Sequence, residues 1–154
     1  MSAPVAGIHP TAVIGQPPEM RANRGEEVYK GGINHTPFKP DMRMVTVEPT
    51  ALIEAFCTVD AGLDHPTYVG QRTWLMKRVH VGHDCYIDAD CELAPGTTLG
   101  GYVRLGRGVH MGLGSVCRPK VSIGALAQVG AGAVVICDIP PGEVWVGNPA
   151  RKLR

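Results

Sequence analysis

From Val69 to Val135 an aliphatic or near-aliphatic residue stands at every sixth position without a slip: Val69, Leu75, Val81, Ile87, Leu93, Leu99, Leu105, Met111, Cys117, Ile123, Val129 and Val135. Four residues after each comes a second small or β-branched residue, in order Thr73, Val79, Cys85, Cys91, Thr97, Val103, Val109, Ser115, Val121, Ala127, Ala133 and Ile139. Gly often follows the first position directly, as at Gly70, Gly82, Gly100, Gly106, Gly112, Gly124 and Gly130. Amphipathic helices repeat at about 3.6 residues and half-buried strands at two, so neither accounts for a period of six. A short fixed period of apolar residues with turn-permissive glycines predicts an all-β solenoid of stacked hexapeptides.

Ile8 to Gly15 reads as a first hexapeptide and the start of another. The period then vanishes over residues 16–46, a stretch rich in Pro, Gly, Arg, Lys and Asn. A loop that long inside a compact domain is functional or disordered. Arg21, Arg24, Lys30 and Lys39 within it are candidates for holding a diphosphate or carrier phosphate, beside the plainer reading of a solvated loop. The hexad returns at Val47, Ile53 and Val59, and four extra residues precede Val69. That surplus, around Asp64, His65, Pro66 and Thr67, predicts a small excursion at one corner. Pro140 and Pro141 are expected to stop strand pairing, leaving residues 141–154 to fold back as a capping tail. The expectation is one domain, 1–154.

Composition fits this picture. With 154 residues and 5% aromatics the chain fills no thick core, whereas a solenoid needs only a thin one of small aliphatics. A net charge of +1 makes no electrostatic case for nucleic acid or a membrane surface as partner. The sequence shows neither an apolar run of spanning length nor a signal-peptide pattern, so the expectation is a soluble cytoplasmic protein. The register places Cys57, Cys85, Cys91 and Cys117 at inward positions that want a small hydrophobe, with Cys137 outward. Their spacing matches neither a disulfide framework nor a zinc knuckle, so no metal is expected.

Candidate chemistry gathers at Val79, His80, Val81, Gly82, His83, Asp84 and Cys85. His83 falls outside the inward pattern, next to a Gly that leaves room for another chain or a ligand. Unperturbed imidazoles titrate near neutrality, which suits a general base. An outward histidine is as commonly plain solvated surface, and the residues alone leave both readings open.

The repeat resembles that of the hexapeptide-repeat acyltransferases, whose fold is a left-handed parallel β-helix with three hexapeptides per coil. The left hand comes from the resemblance, since ordinary crossover rules favour the opposite. Residues eighteen apart should then lie one above the other at about 4.8 Å. The segment from Ala51 to Ala133, with Leu99, Gly100, Gly101 and the corner excursion, is similar above all to the UDP-N-acetylglucosamine O-acyltransferases of lipid A synthesis. There a His-Asp-Cys run carries the catalytic base, which implies that role for His83. The tail, through Gly130 to Ala133, Asp138 to Gly142 and Gly147 to Ala150, resembles the sialic-acid-type sugar acetyltransferases.

The stacking rule puts Gly101 over His83, and its family counterpart offers the N–H to a thioester oxyanion; a simple turn glycine is the alternative. The next column holds Asp84, Tyr102 and Lys120, with Asp84 expected to orient the imidazole or the acceptor. His80 matches a family active-site His, with a plain outward surface residue as the alternative; His65 could reach the site from the excursion or merely turn the chain with Pro66. Arg118 and Lys120 are candidates for a donor phosphate or an acidic carrier. The family has a His where Tyr102 stands, and a His-Gln pair where Cys117 and Arg118 stand; these departures bear on acceptor and acyl length, not on the base. His110, on another face, reads as solvated.

The resemblance implies acyl transfer from acyl-carrier protein or acyl-CoA, as co-substrate rather than bound cofactor, to a hydroxyl or amine of a sugar or nucleotide sugar. It also implies a homotrimer with sites between adjacent helices. A short-chain CoA-dependent acetyltransferase of a small acceptor is an alternative. A γ-type carbonic anhydrase would need three zinc-binding histidines, but Asp88 stands where the second is expected, and a non-catalytic binding solenoid is the remaining class.

Overall fold

The computed structural model describes residues 7–16 and 44–154, and over these the chain is a left-handed parallel β-helix with three faces. One face carries β1 (Val13–Gln16), β4 (Thr58–Asp60), β7 (His80–Val81), β10 (Thr98–Leu99), β13 (Val116–Cys117) and β16 (Val134–Val135). The second carries β2 (Val45–Val47), β5 (Thr67–Val69), β8 (Tyr86–Ile87), β11 (Arg104–Leu105) and β14 (Ser122–Ile123). The third carries β3 (Leu52–Ile53), β6 (Trp74–Leu75), β9 (Glu92–Leu93), β12 (His110–Met111), β15 (Gln128–Val129), β17 (Val144–Val146) and β18 (Arg151–Lys152). Leu99 lies between Val81 and Cys117, so the eighteen-residue rule holds there. Thr58 lies opposite His80, twenty-two residues on, which accommodates the four-residue surplus in the corner between β4 and β5. The phosphate-binding candidates Arg21, Arg24, Lys30 and Lys39 lie outside the described residues. Among the described residues, no helix is long and apolar enough to cross a membrane.

From Val69 to Ile139 both apolar positions of each hexad point inward and are buried, Cys85, Cys91 and Cys117 among them; Cys57 is buried as well, while Cys137 is exposed. The small polar residues among them also donate hydrogen bonds. Thr73 Oγ1 donates to the Asp88 carbonyl at 2.9 Å, Cys85 Sγ to Gly100 at 3.1 Å, Cys91 Sγ to Gly106 at 3.2 Å and Thr97 Oγ1 to Gly112 at 3.3 Å. Each bond runs to the corner carbonyl fifteen residues on, so Thr and Cys tie one coil to the corner of the next. Burial pushes the Cys85 and Cys117 thiols up to about 12, which keeps them inert.

Two expectations need correction. The glycines at Gly70, Gly82, Gly100, Gly112 and Gly124 are not left-handed turn residues. They are thin spots where coils touch: a Cβ at Gly112 would lie 2.5 Å from Ala131 N, and one at Gly100 2.6 Å from Pro119 Cδ. The left-handed residues stand two positions later and are often not glycine, as at Arg72, Arg78, Asp84, Asp90, Tyr102, Lys120 and Leu126. Nor do Pro140 and Pro141 end the pairing. Ile139 bridges Ile123, sixteen residues back, so the last coil is two residues short, and β17 continues the third sheet alongside β15. Beyond it β18 returns antiparallel to β17, and Ala150 is buried with the core.

Gly112→Ala is expected to lower the unfolding free energy by about 1–3 kcal/mol, the usual range for overpacking. Gly114 has φ +62 and open space around it, so Gly114→Asn is expected to lose about 1 kcal/mol or less, a left-handed strain that Asn tolerates. Denaturant melts of the two variants compare them directly, and equal losses would contradict the stacking role.

Candidate active site at the corner of His83

The corner between β7 and β8 turns through Gly82, His83 and Asp84, with Asp84 at φ 58. The Asp84 side chain has no solvent exposure and accepts from four donors, with the His65 ring in ion-pair range. Its Oδ1 accepts the N–H groups of Asp64 (2.8 Å) and His65 (2.9 Å) and lies 3.0 Å from His65 Nδ1. Its Oδ2 accepts the Leu63 N–H (2.9 Å) and lies 2.8 Å from His83 Nδ1. The Asp84 N–H donates to Thr67 Oγ1 at 2.9 Å, fixing the turn from below. Burial alone would raise this carboxyl, but the N–H groups of Leu63, His65 and Asp64, together with His83, hold it below the usual aspartate range. It is therefore ionised at neutral pH.

An ionised carboxylate only accepts, so the Nδ1 of His83 carries the proton and Nε2 keeps its lone pair. The ring lies on Gly101: a Cβ there would be 2.6 Å from Nε2 and 2.7 Å from Cε1. Gly101 has no left-handed φ, so the imidazole, not a turn, requires glycine. The Gly101 N–H has no acceptor among the described residues. Tyr102 (φ 63) stands edge-on to the imidazole at 5.0 Å between centroids and 86° between planes. Its hydroxyl donates to Asp64 Oδ2. That bond and partial desolvation push the phenol up to about 12, so it stays protonated. Lys120 Nζ lies 5.8 Å from the Tyr102 ring centre.

The expected residues are thus largely brought together, with three changes. His83 is not simply outward: its side chain is 25% exposed, and the space left by Gly82 is filled by the backbone of Leu99 to Gly101 rather than by a partner or ligand. Asp84 leaves the outward column shared by Tyr102 and Lys120 and is buried. Thr67 belongs to β5, and the excursion closes before it. His65 does reach the site. His80 faces the preceding coil, 2.8 Å from Thr58 Oγ1 and 3.9 Å from Asp60 Oδ2, on the flat face beside the corner. Arg118 is exposed just past β13. His110 lies on the third face between Glu92 and Gln128. Sequence reasoning missed Asp64 as the partner of Tyr102 and the three amides as the clamp on Asp84. The signal available was Gly62, where a Cβ would fall 1.7 Å from the His65 carbonyl oxygen.

Asp84→Asn places an amide against donors it cannot all accept, at an expected cost of about 1–3 kcal/mol at pH 7. The Asp84 carboxyl is depressed in the fold, so its contribution is present above the unfolded value of 3.8 and is lost as pH falls through the lower folded value. The stability gap between wild type and variant, measured by thermal melts, should therefore narrow below about pH 4. A gap that stayed constant would show that Asp84 is not an ionised hub.

Comparison with known proteins places this corner in context. Residues 66–101 match the family model described as bacterial transferase hexapeptide (six repeats). Over 147 residues the chain is 33% identical to UDP-3-O-acylglucosamine N-acyltransferase of Caulobacter sp. (strain K31), covering 96% of this chain and 41% of that protein. The structure of UDP-N-acetylglucosamine O-acyltransferase from Moraxella catarrhalis RH4 superposes with a TM-score of 0.78 at 25% identity, over 95% of this chain and 52% of that one. A mutant of perosamine N-acetyltransferase from Caulobacter crescentus, in complex with CoA and GDP-perosamine, gives 0.72 at 26% identity, over 96% and 55%. The chain spans about half the length of these relatives or less. With the unbroken hexad, the three parallel faces and these likenesses together, the chain belongs with the bacterial hexapeptide-repeat proteins and shares the fold of these acyltransferases.

Proposed function

We propose that the chain transfers an acyl group from a pantetheine thioester, acyl-CoA or acyl-carrier protein, to a hydroxyl or amine of a sugar or nucleotide sugar. The observation that carries this reading is the buried Asp84 carboxylate 2.8 Å from His83 Nδ1, which fixes the tautomer that leaves Nε2 basic. Nε2 removes the acceptor proton as its oxygen or nitrogen attacks the thioester carbon. The tetrahedral oxyanion accepts the Gly101 N–H, a type of contact worth about 3–4 kcal/mol at a transition state. The C–S bond then breaks, and the imidazolium returns its proton to the departing thiolate. An ester or amide and a free thiol result.

Tyr102, whose hydroxyl is held by Asp64, and His80 are assigned to the acceptor side. Lys120 and Arg118 present cations for a donor phosphate or an acidic carrier. His65 keeps only its Nε2 edge for substrate, because Nδ1 is turned to Asp84. The reading includes a cytoplasmic homotrimer, with a neighbouring helix completing each site. CoA as the donor gains support from the perosamine enzyme, whose structure contains it; an acetyl group on a small amine acceptor is the second reading.

With an authentic acceptor, His83→Ala is expected to lower turnover by about 10²- to 10⁴-fold, and its stability by about 1 kcal/mol through the lost Asp84 contact. His110→Ala should be silent in both. In the same assay, charge reversal at Arg118 and Lys120 should raise the donor KM; an unchanged KM removes them from the donor site. Near-normal turnover of the His83 variant would leave a binding solenoid as the better reading. Sedimentation at micromolar concentration should give a trimer, and a stable monomer would remove the shared-site part of the proposal.

A further inference from the structure

We propose that His65 is a positioning residue which shares the Asp84 carboxylate with His83 and thereby sets the proton affinity of the base. This deepens the reading of His83 as base and rests on it. One buried carboxylate faces two imidazoles: His83 Nδ1 on Oδ2 at 2.8 Å and His65 Nδ1 on Oδ1 at 3.0 Å. His83 Nδ1 carries a proton, since the carboxylate can only accept, and His65 Nδ1 forms an ion pair with Oδ1 when its ring is protonated. The His65 side chain is 47% exposed, so its contact with Asp84 is not imposed by burial. Nor is it needed to hold the loop. The amides of Leu63, Asp64 and His65 already clamp Asp84, and they survive a change of the His65 side chain.

The direction of the effect follows from the charges around His83. Asp84 lies beside it, His65 and Asp64 face it from the excursion, and Tyr102 comes from the next coil with Lys120 over that ring. Asp60 faces His80 on the strand before. Each donor on Asp84 spreads the carboxylate charge and weakens its hold on a His83 imidazolium. A protonated His65 would oppose that cation as well. Removing the His65 ring therefore raises the proton affinity of His83, whichever charge His65 carries. A ring that merely filled space would leave it unmoved.

The test is a pH titration of the ¹⁵N-labelled full chain followed by the His83 ring nitrogens, assigned by their loss in His83→Ala. In His65→Phe the His83 midpoint is expected to rise by about 0.5–1 pH unit. In His65→Asn, whose side-chain amide can stand where Nδ1 stood, it should return toward wild type. His110→Phe should leave it alone. A His83 midpoint that is unmoved or lowered in His65→Phe overturns the proposal, as does a His65→Asn variant that behaves like His65→Phe. The acid limb of kcat/KM should move in the same direction as the midpoint. Full turnover by His83→Ala would sink the base assignment alone, because the titration needs no substrate and still decides whether the carboxylate is shared.

Discussion

Everything in this chain answers to one constraint: each coil must lie flat on the next at strand spacing, about 4.8 Å, so a residue's surroundings are set by what stands eighteen positions away. At the corners the backbones come so close that a single methyl does not fit, as at Gly112 against Ala131 and Gly82 against Gly101. Chain direction then changes within a few residues, and the third corner residue takes up a left-handed backbone even when it is Asp, Tyr or Lys. The inward Thr and Cys donors add side-chain bonds between coils by reaching the corner carbonyls of the following coil. The result is a rigid prism whose corners are defined to the atom, which suits a group that must hold one orientation.

The candidate site sits where that constraint is relaxed. Between β4 and β5 the four surplus residues leave the ladder, and the amides of Leu63, Asp64 and His65 turn inward instead of along the sheet. They meet Asp84, whose left-handed backbone points its carboxylate under the loop. An ionised carboxylate without solvent exposure is costly unless its lone pairs are filled, and here the excursion fills them. The excursion and the His83 corner are therefore one unit, although they lie about twenty residues apart in sequence.

The fold was legible because a six-residue period leaves few alternatives, and the inward registers of Val69 to Val135 are buried as read. Two features escaped for local reasons. The shortened last coil at Ile139 breaks the count that made the rest readable, so the strand beyond Pro140 and Pro141 was hidden. The glycines after each first position looked like turn residues because sequence does not separate conformational need from lack of room. At the site, His83, Gly101, Tyr102 and Lys120 followed from the stacking rule together with the family resemblance. The burial of Asp84 and the role of Asp64 did not follow, because both depend on the path of an excursion that has no period.

Tyr102 shows how far the corner goes to fix the imidazole. A bulky residue in the left-handed region costs about 1–2 kcal/mol, and Asn or Gly would relieve it. The ring is nonetheless held there from three sides: by its hydroxyl on Asp64, by the edges of His65 and His83, and by Lys120. Gly101 supports the flat of the His83 ring and Asp84 holds Nδ1, so Tyr102 limits the one rotation those two leave free. An imidazole held on three sides presents Nε2 in a single direction. The same left-handed backbone recurs at Arg72, Arg78, Asp90 and Leu126, so it belongs to the corner geometry of the helix, and at Tyr102 that geometry sets the ring edge-on beside the imidazole.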